Sequence, residues 1–307
     1  MNWNFKNLLY NNYMAVALFG SCSWKYPSWK GLIYSKDEEI NYLKEYSRKY
    51  STVEIDQWFW SLFGTTSVSL PKRETVSEYL DSVPDNFRFT VKVPNSITLT
   101  HFYKKPGESS LKPNPFFLSE ILFKKFLASI EPLKPYIGAL LLQFEYLNKK
   151  KMTSQSEFLA RLYSFFSKIP RDYHYALEPR NPQYLNKEYF FFLKDQHLSH
   201  VFLEGYYMPP IIDVFHQYGD YIEDVAVIRL HGNNRKGIEE KTEKRWDRIV
   251  EPKDRSLQDA AEIVKALVSR GVDVFVNVNN HYEGSAPLTM NRLSLMMNSD
   301  EEVYSAF

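Results

Sequence analysis

A short apolar run followed by a helical pattern recurs eight times along this chain, and that alternation restricts the fold more than any other feature. The clearest run is Val225 to Gly232, VAVIRLHG, which stays apolar until it ends in Arg229, His231 and Gly232. A strand covered on both faces reads this way, because neither side faces water. Further strand signals fall at 16–20, 51–55, 87–93, 138–143, 173–178, 198–203 and 273–277. Helical patterns lie between them over about 37–50, capped by Ser35 or Asp37, over 71–83 and over 116–131. Others start at Ser154, run over 187–196, start near Pro210, run from a Ser256 cap to Gly271, and begin near Pro287. Strands alternating with helices imply a parallel sheet with helical crossovers. Eight such units in 307 residues predict a single (β/α)8 TIM-type barrel of α/β class, with its ligand mouth at the strand carboxyl ends. A doubly wound open sheet would want a Gly-rich phosphate loop after the first strand, and residues 21–31 do not supply one. Without a linker or low-complexity segment, residues 16–307 are expected to be one domain, with 1–15 a tail and Met14 an alternative start.

Lys plus Arg is 38 against 37 for Asp plus Glu, so the net charge of +1 gives no global pull toward nucleic acid or an anionic membrane. The single cysteine, Cys22, forms no internal disulfide and suits a reducing compartment. No apolar run is long enough for a bilayer, and the opening stretch lacks a small-residue cleavage site, so a cytoplasmic protein is expected. Aromatic residues make up 16% of the chain, which calls for a large aromatic core.

The barrel gathers scattered polar residues. At or just beyond strand ends stand Cys22, Trp24, Glu54, Asp56, Lys92, Gln143, Glu178, Arg180, Arg229, His231, Asn277, Asn279 and Asn280. In a barrel these ends converge on one mouth. The amino-terminal ends show no comparable clustering of charge. Trp29 and His101 lie on loops at the same end. Plainer roles are open to each residue. Glu54 and Arg180 could form a rim ion pair, as could Glu178 with Arg229 or Lys92. Lys92 could snorkel, and the Asn residues could satisfy turns. The Trp residues could plug the barrel end, and His101 could be an ordinary loop histidine. Cys22 could be a small buried hydrophobe, since no base lies near it in sequence.

Several stretches recur in a specific order: Gly20-Ser21-Cys22-Ser23-Trp24 with Trp29 and Gly31, then Val53-Glu54-Ile55 with Phe59. They continue with Phe87-Arg88-Phe89 through Lys92 to Thr100-His101, then Glu178-Pro179-Arg180, then Arg229-Leu230-His231-Gly232, and last Asn279-Asn280, Gly284, Ala286 and Asn291. On these the chain resembles the YecE-like family, a domain of unknown function, from about Gly20 to Asn291. The resemblance implies a (β/α)8-type barrel with a polar pocket and no assigned activity. It also implies departures at Asp56, where the family usually has Asn, and at Trp60, where it has Tyr. Asn181 and Tyr184 stand for the usual His and Trp, and Val227 for Tyr.

These residues suit an enzyme acting by acid/base chemistry on a small polar or anionic, carbohydrate- or phosphate-like metabolite. Glu178, Glu54 and His231 are the expected catalytic groups. Trp24, Trp29, Lys92, His101, Arg180, Arg229, Asn279 and Asn280 are the expected binding groups. No cofactor is expected. One alternative is a divalent-metal hydrolase or isomerase built on Glu54, Glu178 and His231, ranked lower because two Arg and a Lys share the mouth. Others are a non-catalytic binding protein and a single-stranded nucleic-acid module. The last is disfavoured because acidic residues offset the basic ones in the charged loop 233–255.

Overall fold

The computed structural model describes residues 14–63, 67–103, 107 and 110–298. Most of the expected tail therefore lies outside the described residues. Eight parallel strands form the barrel wall: β1 (Ala17–Ser21), β2 (Thr52–Ile55), β3 (Arg88–Lys92) and β4 (Ile137–Gln143), then β5 (Tyr175–Glu178), β6 (Ser199–Gly205), β7 (Val225–Gly232) and β8 (Asp273–Val278). The hydrogen-bonded ladder runs β1-β8-β7-β6-β5-β4-β3-β2. The (β/α)8 expectation holds.

The seam between β1 and β2 is bridged by a side chain. Tyr46 of helix α1 (Tyr42–Tyr46) is fully buried there. Its hydroxyl accepts the Ser21 N–H at 2.9 Å and donates to the Thr52 carbonyl at 3.2 Å. Gly20 lets the two backbones come this close, since a Cβ there would fall 2.2 Å from the Thr52 oxygen.

Alternate residues of each strand point into the barrel. Toward the amino end these are apolar: Leu18, Ala139, Leu141, Ala176, Val201, Val225, Val227 and Phe275 pack as one cluster. The Phe275 ring lies against Gly138, where any Cβ would sit 2.2 Å from Cζ. Toward the carboxyl end the inward positions are polar or charged. Outside the wall a second, larger cluster holds Phe123, Phe126, Phe158, Phe165, Tyr175 and Tyr189, the aromatic core that the composition requires.

Three local expectations change. The first helix spans only Tyr42–Tyr46 and is capped by Asn41; Ser35 instead binds the Glu45 carboxylate. Ser154 caps α5 (Gln155–Phe166) as expected, but Ser256 caps nothing. It lies inside α9 (Asp254–Ser269), with its hydroxyl 2.5 Å from that of Tyr282. The charged loop contains a helix, α8 (Arg235–Thr242), capped by Asn234 and braced by Arg235 to Glu239. No helix among the described residues is long and apolar enough to cross a membrane.

Candidate functional site

The charged layer is built around Arg229, which is 1% exposed on the inner face of β7. A buried guanidinium must have its donors met and its charge balanced. Nε and Nη2 donate to both oxygens of Glu54, at 2.8 and 2.7 Å. Nη1 donates to Glu178 and, at 3.1 Å, to Gln143. Both carboxylates are fully buried. Asn277, in register with Arg229, donates to Glu54 at 3.3 Å and to Thr90 at 2.8 Å. The other Glu178 oxygen accepts from Arg180 Nε at 3.1 Å. Burial pushes the Glu178 pKa up, but Arg229, Arg180 and Lys92 outweigh it and hold the carboxyl below its usual range. The expected pairing of Glu54 with Arg180 is replaced: Glu54 pairs with Arg229, and Arg180 with Glu178.

Above this layer the groups are less saturated. Lys92 ends β3 with its ammonium 3.9 Å from the centre of the Phe59 ring. Among the described residues it has no carboxylate within ion-pair distance. Burial and the Arg229 charge lower its pKa. The ring face attracts a cation, by about 0.5–2 kcal/mol, and so works against that shift. The Arg180 guanidinium lies 4.1 Å from the centre of the Tyr206 ring, and its two terminal nitrogens have no hydrogen-bond partner among the described residues.

His231 lies with Nε2 3.5 Å from Cys22 Sγ and Nδ1 3.4 Å from the Tyr206 hydroxyl. Burial, then Arg229, Arg180 and Lys92, push its pKa well down, so the imidazole is neutral. Cys22 thus has a base that its sequence neighbours did not suggest. Burial and Glu54 raise its pKa, so the pair rests as thiol and imidazole, not as thiolate and imidazolium. Asp56, one residue past β2, is half-buried. Burial and Glu54 push its carboxyl up to about 6, against Lys92 and Arg229. Neither arginine holds it.

The remaining expected residues divide. Trp29 is fully buried among Tyr26, Tyr34 and Tyr46. Trp24 is 3% exposed and packs edge-on against Tyr79, lining a cavity of about 580 Å³ beside α1 and α2 (Arg73–Leu80). Asn279 accepts from the His281 N–H at 2.9 Å, and Asn280 from the Ala286 N–H, so both shape the turn before the last helix. His101 lies 3.0 Å from the Thr100 hydroxyl, which donates to Glu145. Of the family departures, Asn181 clamps Leu147 through two hydrogen bonds, Tyr184 stacks on Phe158, and Val227 belongs to the apolar cluster inside the barrel. Asp56 and Trp60 alone bear on the mouth.

Tyr206 and Glu283 were not anticipated. Tyr206 directly follows the last residue of β6, at the same end as the other site residues, and that position was its signal. Glu283 is fully buried and accepts from Thr289 and Arg292. It also accepts the Lys253 N–H at 2.6 Å, tying α9 to the last helix. The amino end is not bare either: Arg88, His174 and Asp273 line a hollow of about 470 Å³. Arg88 there donates to its own backbone neighbours, at Asp85 and Phe87.

As arranged, the residues do not fit a divalent ion. Glu54 and Glu178 spend their oxygens on arginine. No cluster of three or more His, Cys, Asp or Glu among the described residues is placed to hold a metal.

A family model described as "Protein of unknown function DUF72" matches residues 18–306. The UPF0759 protein YecE of Escherichia coli K12 is 29% identical over 172 residues, 56% of this chain and 51% of that protein. The chain thus spans about half the length of the curated relatives it matches. Two crystal structures of DUF72 family proteins are similar, each 22% identical over 92% of this chain. One, from Enterococcus faecalis V583, is covered to 96% with a TM-score of 0.63. The other, from Thermotoga maritima MSB8, is covered to 99% with a TM-score of 0.64.

Proposed function

Because the chain belongs to the DUF72 family, whose function is unknown, we propose from its own site that it is an enzyme that binds a small anionic metabolite in the barrel mouth and works on it by acid/base chemistry. One observation carries this. The carboxylates of the buried layer are spent on Arg229, while Lys92 and the outer edge of Arg180 are left to meet an anion. An oxyanion there accepts charge-assisted hydrogen bonds from the planar fork of Arg180 in a partly dry site, with the Lys92 nitrogen beside it. Proton transfer falls to Asp56 and His231, whose environments set one near neutrality and keep the other uncharged. Glu178 and Glu54 act instead by fixing Arg229. Thermal-shift measurements with phosphate, sulfate and small carboxylates test this, with chloride at equal ionic strength as control. Millimolar anion should raise the melting temperature, and the rise should shrink in Arg180→Met. An unchanged melting temperature with every anion would overturn the proposal.

A second reading draws on the rim. Trp60, Tyr103, Tyr146 and Tyr207 are 54–87% exposed, and all stand on loops that follow strand carboxyl ends. Exposed rings above a cationic pocket suit stacking of single-stranded nucleic acid bases. Fluorescence anisotropy with a single-stranded oligonucleotide at low salt checks it; no binding there removes this reading.

A further inference from the structure

We infer that Lys92 is a nucleophile whose amine condenses with the carbonyl carbon of a small anionic aldehyde or ketone to form an imine, which names the substrate class of the anion pocket and rests on that reading. An amine attacks carbon only when it has lost its proton. Lysines that do so are held out of water, often beside a second cation. Lys92 is half-buried and has the Arg229 guanidinium as its cationic neighbour. It ends β3 facing the mouth, sits over the Phe59 ring, and has no carboxylate within ion-pair distance among the described residues. Glu54 and Glu178 are committed to Arg229 and, with Asp56, favour the ammonium only from beyond ion-pair distance, where burial and Arg229 outweigh them. The Arg229 guanidinium in turn presses against its charge, in the same direction as burial. An ordinary anion-binding lysine would need neither an apolar seat nor a cationic neighbour.

The other groups fit the steps. The free nitrogens of Arg180 hold the carboxylate or phosphate of the substrate. The Lys92 lone pair forms the N–C bond as the carbonyl π pair moves to oxygen, and a proton passes from nitrogen to that oxygen to give a carbinolamine. Protonated Asp56 then gives its proton to the departing hydroxyl. Water leaves, the nitrogen lone pair completes the C=N bond, and Asp56 is left as carboxylate beside the iminium. His231, neutral and close enough to Lys92 to feel its charge, would serve as the base for a proton on the carbon next to the new C=N bond.

The test is reductive trapping. The full chain is incubated with pyruvate, glyoxylate or dihydroxyacetone phosphate, treated with borohydride, and mapped by peptide mass spectrometry. Melting temperatures with the same compounds are recorded alongside. A reduced adduct on the Lys92 peptide, absent from Lys92→Arg and from samples without borohydride, is the expected result. If Lys92→Arg fails to fold, site occupancy in the wild-type chain relative to its other lysines serves instead. Stabilisation by these anions with no adduct, or with adducts spread evenly over lysines, overturns the imine and leaves the anion pocket standing. Neither adduct nor stabilisation overturns both.

Discussion

At Arg229 three side chains meet one guanidinium inside the barrel, and the cost of burying that charge sets what each of them can do. Glu178→Gln leaves a buried cation short of one counter-charge. Unfolding by urea at pH 7 should show a loss of roughly 3–5 kcal/mol. Asp56→Asn should do the opposite. Folding raises the Asp56 pKa from 3.8 to about 6, so the native state holds the proton more tightly than the unfolded chain. The stabilising contribution is full below 3.8 and is lost as pH rises through 6. At pH 7 the Asn variant should be the more stable, by up to about 3 kcal/mol, and below pH 4 the two should converge. Any turnover that uses Asp56 would disappear in the same variant. The residues of this layer were legible from the sequence because each lies at or near the carboxyl end of a strand. Of their partners, Glu178 with Arg229 was anticipated, while Arg180 was set against Glu54 and not against Glu178, two residues away. Glu54 and Arg229 are 175 residues apart and meet only across the barrel lumen.

Among elements, α1 and β2 show where local pattern runs out. Apolar spacing extends over about 37–50, but only five residues are helical, because the segment is fixed by Tyr46 reaching into the strand seam and not by its own length. Tyr46→Phe keeps the ring and removes the hydroxyl. The Ser21 N–H and Thr52 carbonyl would lose their shared partner, at a cost of about 1–3 kcal/mol. Faster hydrogen exchange at the Ser21 amide than at Val276 would locate the loss at the seam. α8 escaped the sequence reading for a different reason. Five of its eight residues are charged, and only Ile238 and Thr242 are buried, so no apolar stripe marks it.

For the whole molecule the barrel was legible because eight inward stripes repeat, and the proposed anion pocket lies where those stripes turn polar. An anion that binds only the native state should stabilise it by about 2.7 kcal/mol at a hundred times its Kd, which calorimetry would record as several degrees. The packing of Phe275 into the space left by Gly138 has a kinetic consequence. Because that ring packs the lumen at the amino end with its apolar neighbours, a reactant in the proposed site would enter and leave by the carboxyl-end mouth. Reactant, product and water would then share one way through, and a product still in place would bar the next reactant. Turnover would then be paced by departure, and the loops bearing Trp60, Tyr103 and Tyr207 would govern speed without touching a reacting atom.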